Sequence, residues 1–381
     1  MKKFMTIFSA AVIITCCTAC ASKPSTTQDP ENPEIPESSE NSETSETSEN
    51  FLASWNADAP ALDTLTGYVE TVTDPESSDY IPPEDRIAVF DVDGTLFPEQ
   101  NPTYLADYLL AHRLLTDPSY GPDDEMLEFG RMLRDHMLDG DFPDYVVDEF
   151  DETYNRAFAG MTLAEFDDFV ARMLAREADG FEGMTYAEAC YDPMVEVIDY
   201  LQKNDFEVFL CSGNDRLVCR TLAREGNLNI PQENIIGTDV VLQVVQGTAS
   251  DPEGMTQAQG DYEAGDSVIR TEQAIVYNYK INKVTQIAQE IGRRPVLSFG
   301  NGGGDVSMLN YTICDNPYKS LAFMLLADDD VRDYGTAGEE LRERWESSGY
   351  QVISMEQDWQ TIYGEDVVKT GSFHWLEDLS D

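Results

Sequence analysis

The sequence predicts an α/β fold: a doubly wound parallel sheet with one all-helical segment inserted near its start. Three observations predict it. Short apolar runs at Ile87–Phe90, 206–210, 295–299 and Leu321–Leu326 have the length and composition of strands buried on both faces of a parallel sheet. The first three of them end in small or oxygen-bearing residues, namely Asp91-Val92-Asp93-Gly94-Thr95, Ser212-Gly213-Asn214 and Gly300-Asn301-Gly302-Gly303-Gly304-Asp305. In an open α/β sheet the carboxyl edge is where ligands bind. Between the runs, apolar residues recur at helical spacing, as in Met194, Val197, Ile198 and Leu201 or Val284, Ile287, Ala288 and Ile291.

Composition narrows the class. The 381 residues are 41% hydrophobic and 25% charged, enough for one large core with a smaller domain. Lys and Arg total 24 against 73 Asp and Glu, a net charge of -49. That field repels nucleic acid and anionic membrane surfaces, which excludes both as direct partners. Residues 1–20 start with Lys2 and Lys3, continue through the apolar stretch 7–14 and end in Cys16, Cys17, Thr18, Ala19 and Cys20. This is a signal-peptide layout, with an apolar core shorter than the ~20 residues a membrane span prefers. Thr18 and Ala19 before Cys20 resemble a bacterial lipoprotein cleavage box, with Cys17 where leucine is usual. The resemblance implies an exported protein held at a cell-surface or extracytoplasmic membrane only by lipid on Cys20. Cleavage after Ala21, releasing a secreted soluble form, is the alternative. Residues 21–50 are almost wholly Ser, Thr, Glu, Pro and Asn, with Ile35 the only large aliphatic residue, and are expected to be a disordered tether.

Four cysteines remain beyond the leader, Cys190, Cys211, Cys219 and Cys314, and no pair has metal-ligand spacing. Three histidines, His112, His136 and His374, are too few for a histidine-rich zinc site.

Along the chain, Leu62, Leu65, Val69 and Val72 mark a first helix, and Pro82-Pro83 leads into the strand Ile87–Phe90. Asp91 and Asp93 then place two carboxylates at the end of an apolar run, which costs several kcal/mol unless a cation or a proton compensates them. That placement asks for a metal. An EF-hand calcium loop is excluded by the preceding strand and the missing run of ligands. Residues 97–190 show no convincing strand. Leu105, Tyr108, Leu109 and His112 share one helical face, Met126, Phe129, Leu133 and Met137 another, and Thr162 with Glu165 forms a capping box before Phe166, Phe169, Val170 and Met173.

Asp192 and Pro193 open the next helix as cap and first residue, and another helix starts near Asp215. Residues 240–245 and 269–279 suit a hairpin with a loose tip over 247–266. Asn282 caps a helix stopped by Gly292, and Lys283 in its first turn opposes the helix dipole, so it needs another reason to be there. The spacing predicts a last helix at 338–345 and a last strand at 350–353; nothing functional is read beyond Gly364.

Asp91-Val92-Asp93-Gly94-Thr95 after an apolar strand resembles the first motif of the haloacid dehalogenase superfamily. Ser212-Gly213, Lys283 and the loop from Gly300 to Asp305 resemble its second, third and fourth motifs in order. Ser54-Trp55-Asn56 and the 354–359 segment resemble the two ends of a secreted, phosphoserine-phosphatase-like group within it. The resemblance implies a Rossmann-like core over 51–96 and 191–363, a helical cap over 97–190 that selects substrate, and a tail at 364–381. It implies magnesium-dependent hydrolysis of small phosphate monoesters, with Asp91 as nucleophile and Asp93 as acid and base. Thr95, Ser212 and Gly213 would hold the phosphate together with Lys283, for which Lys280 is the rival. Mg2+ would be held by Asp91, the Asp93 backbone carbonyl and Asn301, with Asp305 as ligand or directly behind. Asn301 stands where many relatives carry aspartate, which implies weaker magnesium binding.

Two other readings remain open on the sequence. A phosphotransferase would use the same aspartyl-phosphate, and a non-catalytic surface-binding lipoprotein would use none of it. A glycine-rich nucleotide loop is disfavoured because neither a dinucleotide fingerprint nor a P-loop is present.

Overall fold

The computed structural model describes residues 52–99, 104–137, 144–245, 261–364, 366–373 and 379, without the side chains of 144–148. The signal-peptide, Cys20 and tether readings, and most of the hairpin tip, lie outside the described residues.

Helix α1 (Pro60–Thr73) begins on a proline, whose missing N–H is not needed in a first turn, and buries Leu65, Tyr68, Val69 and Val72. It leads to β1 (Ile87–Phe90), buried along its whole length. Four helices follow: α2 (Leu105–Leu115), α3 (Asp124–Met137), α4 (Asp144–Phe158) and α5 (Leu163–Leu174). The expected capping box at Thr162 and Glu165 starts α5. A two-residue strand, β2 (Phe181–Glu182), closes the insertion. The core resumes with α6 (Asp192–Lys203), β3 (Glu207–Asp215) and α7 (Arg216–Glu225), followed by the antiparallel pair β4 (Ile235–Val245) and β5 (Ser267–Val276). After these come α8 (Ile281–Glu290), β6 (Leu297–Gly300), α9 (Val306–Ile313), β7 (Leu321–Leu326), α10 (Glu339–Ser347), β8 (Gln351–Ser354), the short α11 (Met355–Asp358) and β9 (Val368–Lys369).

The main sheet has seven strands in the order β5-β4-β3-β1-β6-β7-β8, with every neighbour parallel except β4 and β5. Side chains alternate across a strand. On β1 they divide between two buried clusters: Ala88 and Phe90 join residues of α1, α6 and α7, while Ile87 and Val89 join Ile287, Met308, Leu309 and Trp345 of α8, α9 and α10. Helices therefore cover both faces. The chain runs outward from β1 through β3 and β4, then restarts on its other side with β6, so the switch point lies at the carboxyl end of β1. Phe90 is in register with Leu210 and with Phe299, which brings the three motif-bearing strand ends to one edge. Beneath that edge the rings of Phe90, Phe299 and Phe323 stack at centroid distances of 4.2 and 5.0 Å.

The structure corrects several local expectations. β3 does not stop at 210 but carries Ser212, Gly213 and Asn214 along to Asp215, with a register shift against β4 between Cys211 and Asp215. Asp192 is the first residue of α6 rather than its cap, which is Tyr191. Helix α8 is capped by Lys280 at a φ of 52°, not by Asn282, whose Nδ2 donates to the Tyr277 carbonyl. The insertion does hold a strand: β2 pairs antiparallel with β9 from the tail, Phe181 facing Lys369.

The insertion is seamed to the core at β5. Gly160 N–H donates to the Arg270 carbonyl and Arg270 N–H to the Met161 carbonyl, at 2.8 and 2.9 Å. The buried Arg270 guanidinium reaches Asp215 at 2.5 Å and lies 4.0 Å from the Phe166 ring centre on α5. The cysteines Cys190, Cys211, Cys219 and Cys314 are all free. Among the described residues no helix is long and apolar enough to cross a membrane.

Candidate active site

β1 ends where the buried Asp91 begins, its N–H donating to the Phe299 carbonyl of β6 at 2.9 Å. The chain then folds back on itself: Thr95, Leu96 and Phe97 all donate backbone N–H groups to the Val92 carbonyl, and Gly94 donates to Phe97. Gly94 has a φ of +75°, and a Cβ there would stand 1.8 Å from Asn301 Nδ2 and 2.6 Å from Glu99 Oε2. Only glycine fits, both for the backbone and for the approach of the fourth motif. Thr95 is fully buried, with its hydroxyl 3.5 Å from Asp91 Oδ2.

Lys283 occupies the first turn of α8 and is 3% exposed. Its ammonium bridges Asp91 Oδ1 at 2.5 Å and Asp305 Oδ1 at 2.6 Å. Two carboxylates outweigh the unfavourable dipole of the helix start. The rival Lys280 is exposed. Asp305 Oδ2 accepts the backbone N–H groups of Asn301 and Gly302 at 3.0 and 3.2 Å, so both its oxygens are engaged by protein donors and it shapes the glycine loop. Gly300 makes room, since a Cβ there would stand 2.6 Å from that of Asp305.

Ser212 is fully buried and its Oγ accepts the Asn214 N–H at 3.0 Å. Asn214 Nδ2 donates to Asp93 Oδ2 at 3.3 Å, tying the second motif to the second aspartate. The fully buried Asn278 fixes the cradle from behind, Nδ2 donating to the Ser212 carbonyl at 2.8 Å and N–H to Thr238 Oγ1 at 3.0 Å. Thr238 in turn donates to the Gly213 carbonyl at 2.6 Å. Sequence reasoning missed Asn214, Asn278, Thr238 and Glu99. The one available signal was Asn278, an amide beside two tyrosines where an alternating strand gives way to the Lys283 helix.

One ammonium serves an excess of negative charge. Burial pushes Asp91 well above the usual carboxylate range, and Asp305 adds to this against the pull of Lys283. Burial would lower Lys283, but Asp91 and Asp305 outweigh it, so the ammonium stays protonated. Asp93 is pushed up to about 7 by burial and then by Glu99, in spite of the Asn214 hydrogen bond and Lys283. Burial also raises Glu99, which accepts from the Tyr104 hydroxyl and from Asn301 Nδ2.

Among the described residues no group of three or more His, Cys, Asp and Glu is arranged to hold a metal ion by itself. The set expected from the sequence is of another kind, combining a carboxylate, a backbone carbonyl and an amide oxygen. It fits a hard divalent cation on two counts. Among the described residues Lys283 pairs with Asp91 and Asp305 and is the one ammonium beside them, while Asp93 and Glu99 lie near without an ion pair of their own. Burial first, and then the neighbouring carboxylates, raise Asp91, Asp93 and Glu99, a cost that a cation would relieve. Glu99 turns the amide nitrogen of Asn301 toward itself, which leaves the amide oxygen for another partner. Cys20 lies outside the described residues.

Compared with known proteins, residues 88–309 match the family described as haloacid dehalogenase-like hydrolase, over half of the chain. No curated protein sequence matches. Among solved structures the chain is similar to a functionally unknown protein from Anaerococcus prevotii, with 13% identity and a TM-score of 0.48 over 82% of this chain and 95% of that one. It is also similar to cytosolic 5'-nucleotidase IIIB bound to cytidine, with 12% identity and a TM-score of 0.42 over 83% and 88%. A phosphoserine phosphohydrolase-like protein from Francisella tularensis aligns at 14% identity with a TM-score of 0.37 over 70% and 94%.

Removing the shared cation should destabilise the fold. Lys283→Met leaves Asp91 and Asp305 buried without their cationic partner, and urea denaturation should show a loss of about 3–5 kcal/mol. Lys280→Met, on an exposed residue, should stay within about 0.5 kcal/mol of wild type. Equal losses in the two variants would mean that the bridge contributes no special stability.

Proposed function

The chain belongs to the haloacid dehalogenase-like hydrolase family, and from that premise we propose that it is a magnesium-dependent phosphomonoesterase that hydrolyses small phosphate esters through an aspartyl-phosphate. One observation carries the reading: a buried Asp91 held by Lys283, two residues from an Asp93 whose pKa of about 7 suits a group that must both give and take a proton near neutrality.

The Asp91 carboxylate attacks phosphorus, forming the acyl phosphate as the bond to the leaving oxygen breaks. Asp93 gives its proton to that oxygen. Water then attacks the acyl phosphate, Asp93 takes the proton, and inorganic phosphate leaves with Asp91 regenerated. Lys283 neutralises charge on the transferring group, and the Ser212 hydroxyl, the Gly213 N–H and Thr95 orient it. Magnesium, when bound by Asp91, the Asp93 carbonyl and Asn301 with Asp305 behind, supplies the positive charge that lets an anionic ester approach an anionic nucleophile. Around Asp93, the acids Glu99 and Asp107 and the hydroxyl of Tyr104 act electrostatically on it or on each other. These acids favour a neutral or cationic leaving group such as an amino alcohol.

The leader sequence supports export, with Cys20 as the lipid-bearing residue. Cys20→Ser should move the protein from the detergent-soluble membrane fraction into the medium or leave it unprocessed. Unchanged partitioning, with no lipid label on wild type, would leave plain signal-peptide cleavage.

Asp91→Asn should abolish phosphate release while the circular dichroism spectrum stays unchanged, and Asp93→Asn should slow release by about 10²- to 10⁴-fold. A folded Asp91→Asn protein with normal turnover would sink the mechanism.

The Glu99 contact makes a distinct metal prediction. The sequence alone leads one to expect that Asn301→Asp strengthens magnesium binding. The contact with Glu99 reverses that expectation, because the variant sets a second carboxylate against Glu99, and calorimetric titration should show weaker magnesium binding than wild type. Asn301→Asp combined with Glu99→Gln keeps one charge and one amide in exchanged places and should restore it. If the single variant binds magnesium as well as the double one, Glu99 does not position Asn301.

A further inference from the structure

We propose that Tyr279 determines leaving-group specificity: its ring walls the phosphate cradle at Gly213, and its hydroxyl ties cap helix α4 across the mouth through Asp151. The proposal rests on the phosphatase reading above and adds a residue to it.

The backbone holds Tyr279 between two parts of the site. On one side is Asn278, buried and bonded to the Ser212 carbonyl and to Thr238. On the other is Lys280, whose φ of 52° is rare for a residue with a side chain and persists only where the surroundings impose it. Three residues later Lys283 reaches Asp91. The ring consequently has little freedom to drift. It lies against the backbone of the second motif, since a Cβ on Gly213 would stand 3.0 Å from both Cδ1 and Cε1 of Tyr279. A side chain at Gly213 would press on this ring, which would have to give by a few tenths of an ångström.

The outer end of the ring faces the insertion. Tyr279 Oη donates to Asp151 Oδ1 on α4 at 2.9 Å. Tyr277 stacks beside it, with centroids 6.2 Å apart and planes 10° from parallel, and its hydroxyl accepts from Asn155 Nδ2 at 3.3 Å, one helical turn further along α4. Two rings thus form a ladder from the cradle to one cap helix. Yet Tyr279 is 43% exposed. A tyrosine serving only to staple the cap would be buried; this one keeps an open ring beside the residues expected to hold phosphate. Asp93, the proposed proton donor to the leaving oxygen, is near enough to act electrostatically on the Tyr279 hydroxyl. Because the ring lies against Gly213, which is expected to hold phosphate, a leaving group extending to that side meets it, and the Asp151 bond decides how closely α4 covers it.

The test is a double-mutant cycle on the full mature chain with Tyr279→Phe, which keeps the ring and loses the bond, and Asp151→Ala, which removes the acceptor from a position where alanine suits the helix. Kinetics are measured on O-phosphoethanolamine and on p-nitrophenyl phosphate, and amide hydrogen exchange is followed over residues 149–158 without substrate. Each single variant should raise KM for phosphoethanolamine by about 3- to 10-fold, the loss of one hydrogen bond, with kcat changed less. The double variant should be no worse than the worse single one, and exchange in α4 should quicken in all three. Tyr279→Ala, which also removes the wall, should shift the ratio of kcat/KM between the two esters by about tenfold or more.

Effects that multiply in the double variant, or equal losses on both esters, would overturn the proposal. A wild-type protein that releases phosphate from neither ester would overturn the phosphatase reading and with it the specificity role, and quickened exchange would then leave Tyr279 as a cap staple only.

Discussion

The site depends on one shared cation. The Lys283 ammonium lies between Asp91 and Asp305, all three buried, and joins the central strand, the start of α8 and the loop before α9. A buried carboxylate in a low-dielectric interior is costly when unpaired. Two carboxylates around one ammonium satisfy the geometry but not the charge, and Asp91, raised first by burial and then by Asp305, stays well above its ordinary pKa. The arrangement holds the chain together while leaving Asp91, the proposed nucleophile, electrostatically incomplete. Such a residual demand for positive charge is what a divalent cation meets, and it arises from the fold's own pairing.

Around that bridge, close approach governs the local sequence. Gly94 marks the place where the first and fourth motifs meet and Gly300 the place where the fourth folds back on itself: a single methyl group would strike Asn301 in the first case and Asp305 in the second. At Gly213 the fit is looser, a methyl group there coming within 3.0 Å of the Tyr279 ring. The glycines are thus contact residues, which a reading of turns alone would treat as chain flexibility. They let the β1 end, the Ser212 strand extension and the Asn301 loop converge although each arrives from a different crossover of the sheet.

Much of this was legible in the sequence because its signals are local. An apolar run ending in acid at Asp91, an amphipathic helix with a lysine in its first turn and a glycine loop closed by Asp305 all announce themselves within a dozen residues. The phase of α8 was legible only in part: of the apolar residues at helical spacing Ile287 is buried, but Ala288 is exposed, and the other buried position is Lys283, which its carboxylate partners draw inward. What stayed hidden depends on partners far along the chain. Asn282 has the better capping side chain, yet Lys280 takes that place because Asn282 is drawn to the Tyr277 carbonyl and Lys283 to Asp91. The strand Phe181–Glu182 exists only because Val368–Lys369 pairs with it, and no two-residue run carries a periodicity that would reveal it. Asn214, Asn278, Thr238 and Glu99 are ordinary polar residues whose roles lie in what they touch.

The same division separates chemistry from selection. The groups proposed to move a phosphoryl group sit on strand ends and the first turn of α8, positions that sheet register fixes to within a residue. The groups proposed to face a leaving group come from the core and the insertion together, as in Tyr279 with Asp151 and Tyr277 with Asn155. Substitutions on α4 can therefore retune which ester fits without disturbing Asp91 and Lys283, because the rings of Tyr277 and Tyr279 stand between them and carry the contact. A fold with its nucleophile on the rigid central strand and its discriminating contacts on a seam can change substrate at little expense in stability. The buried Arg270–Asp215 pair keeps that seam from coming apart while it does so.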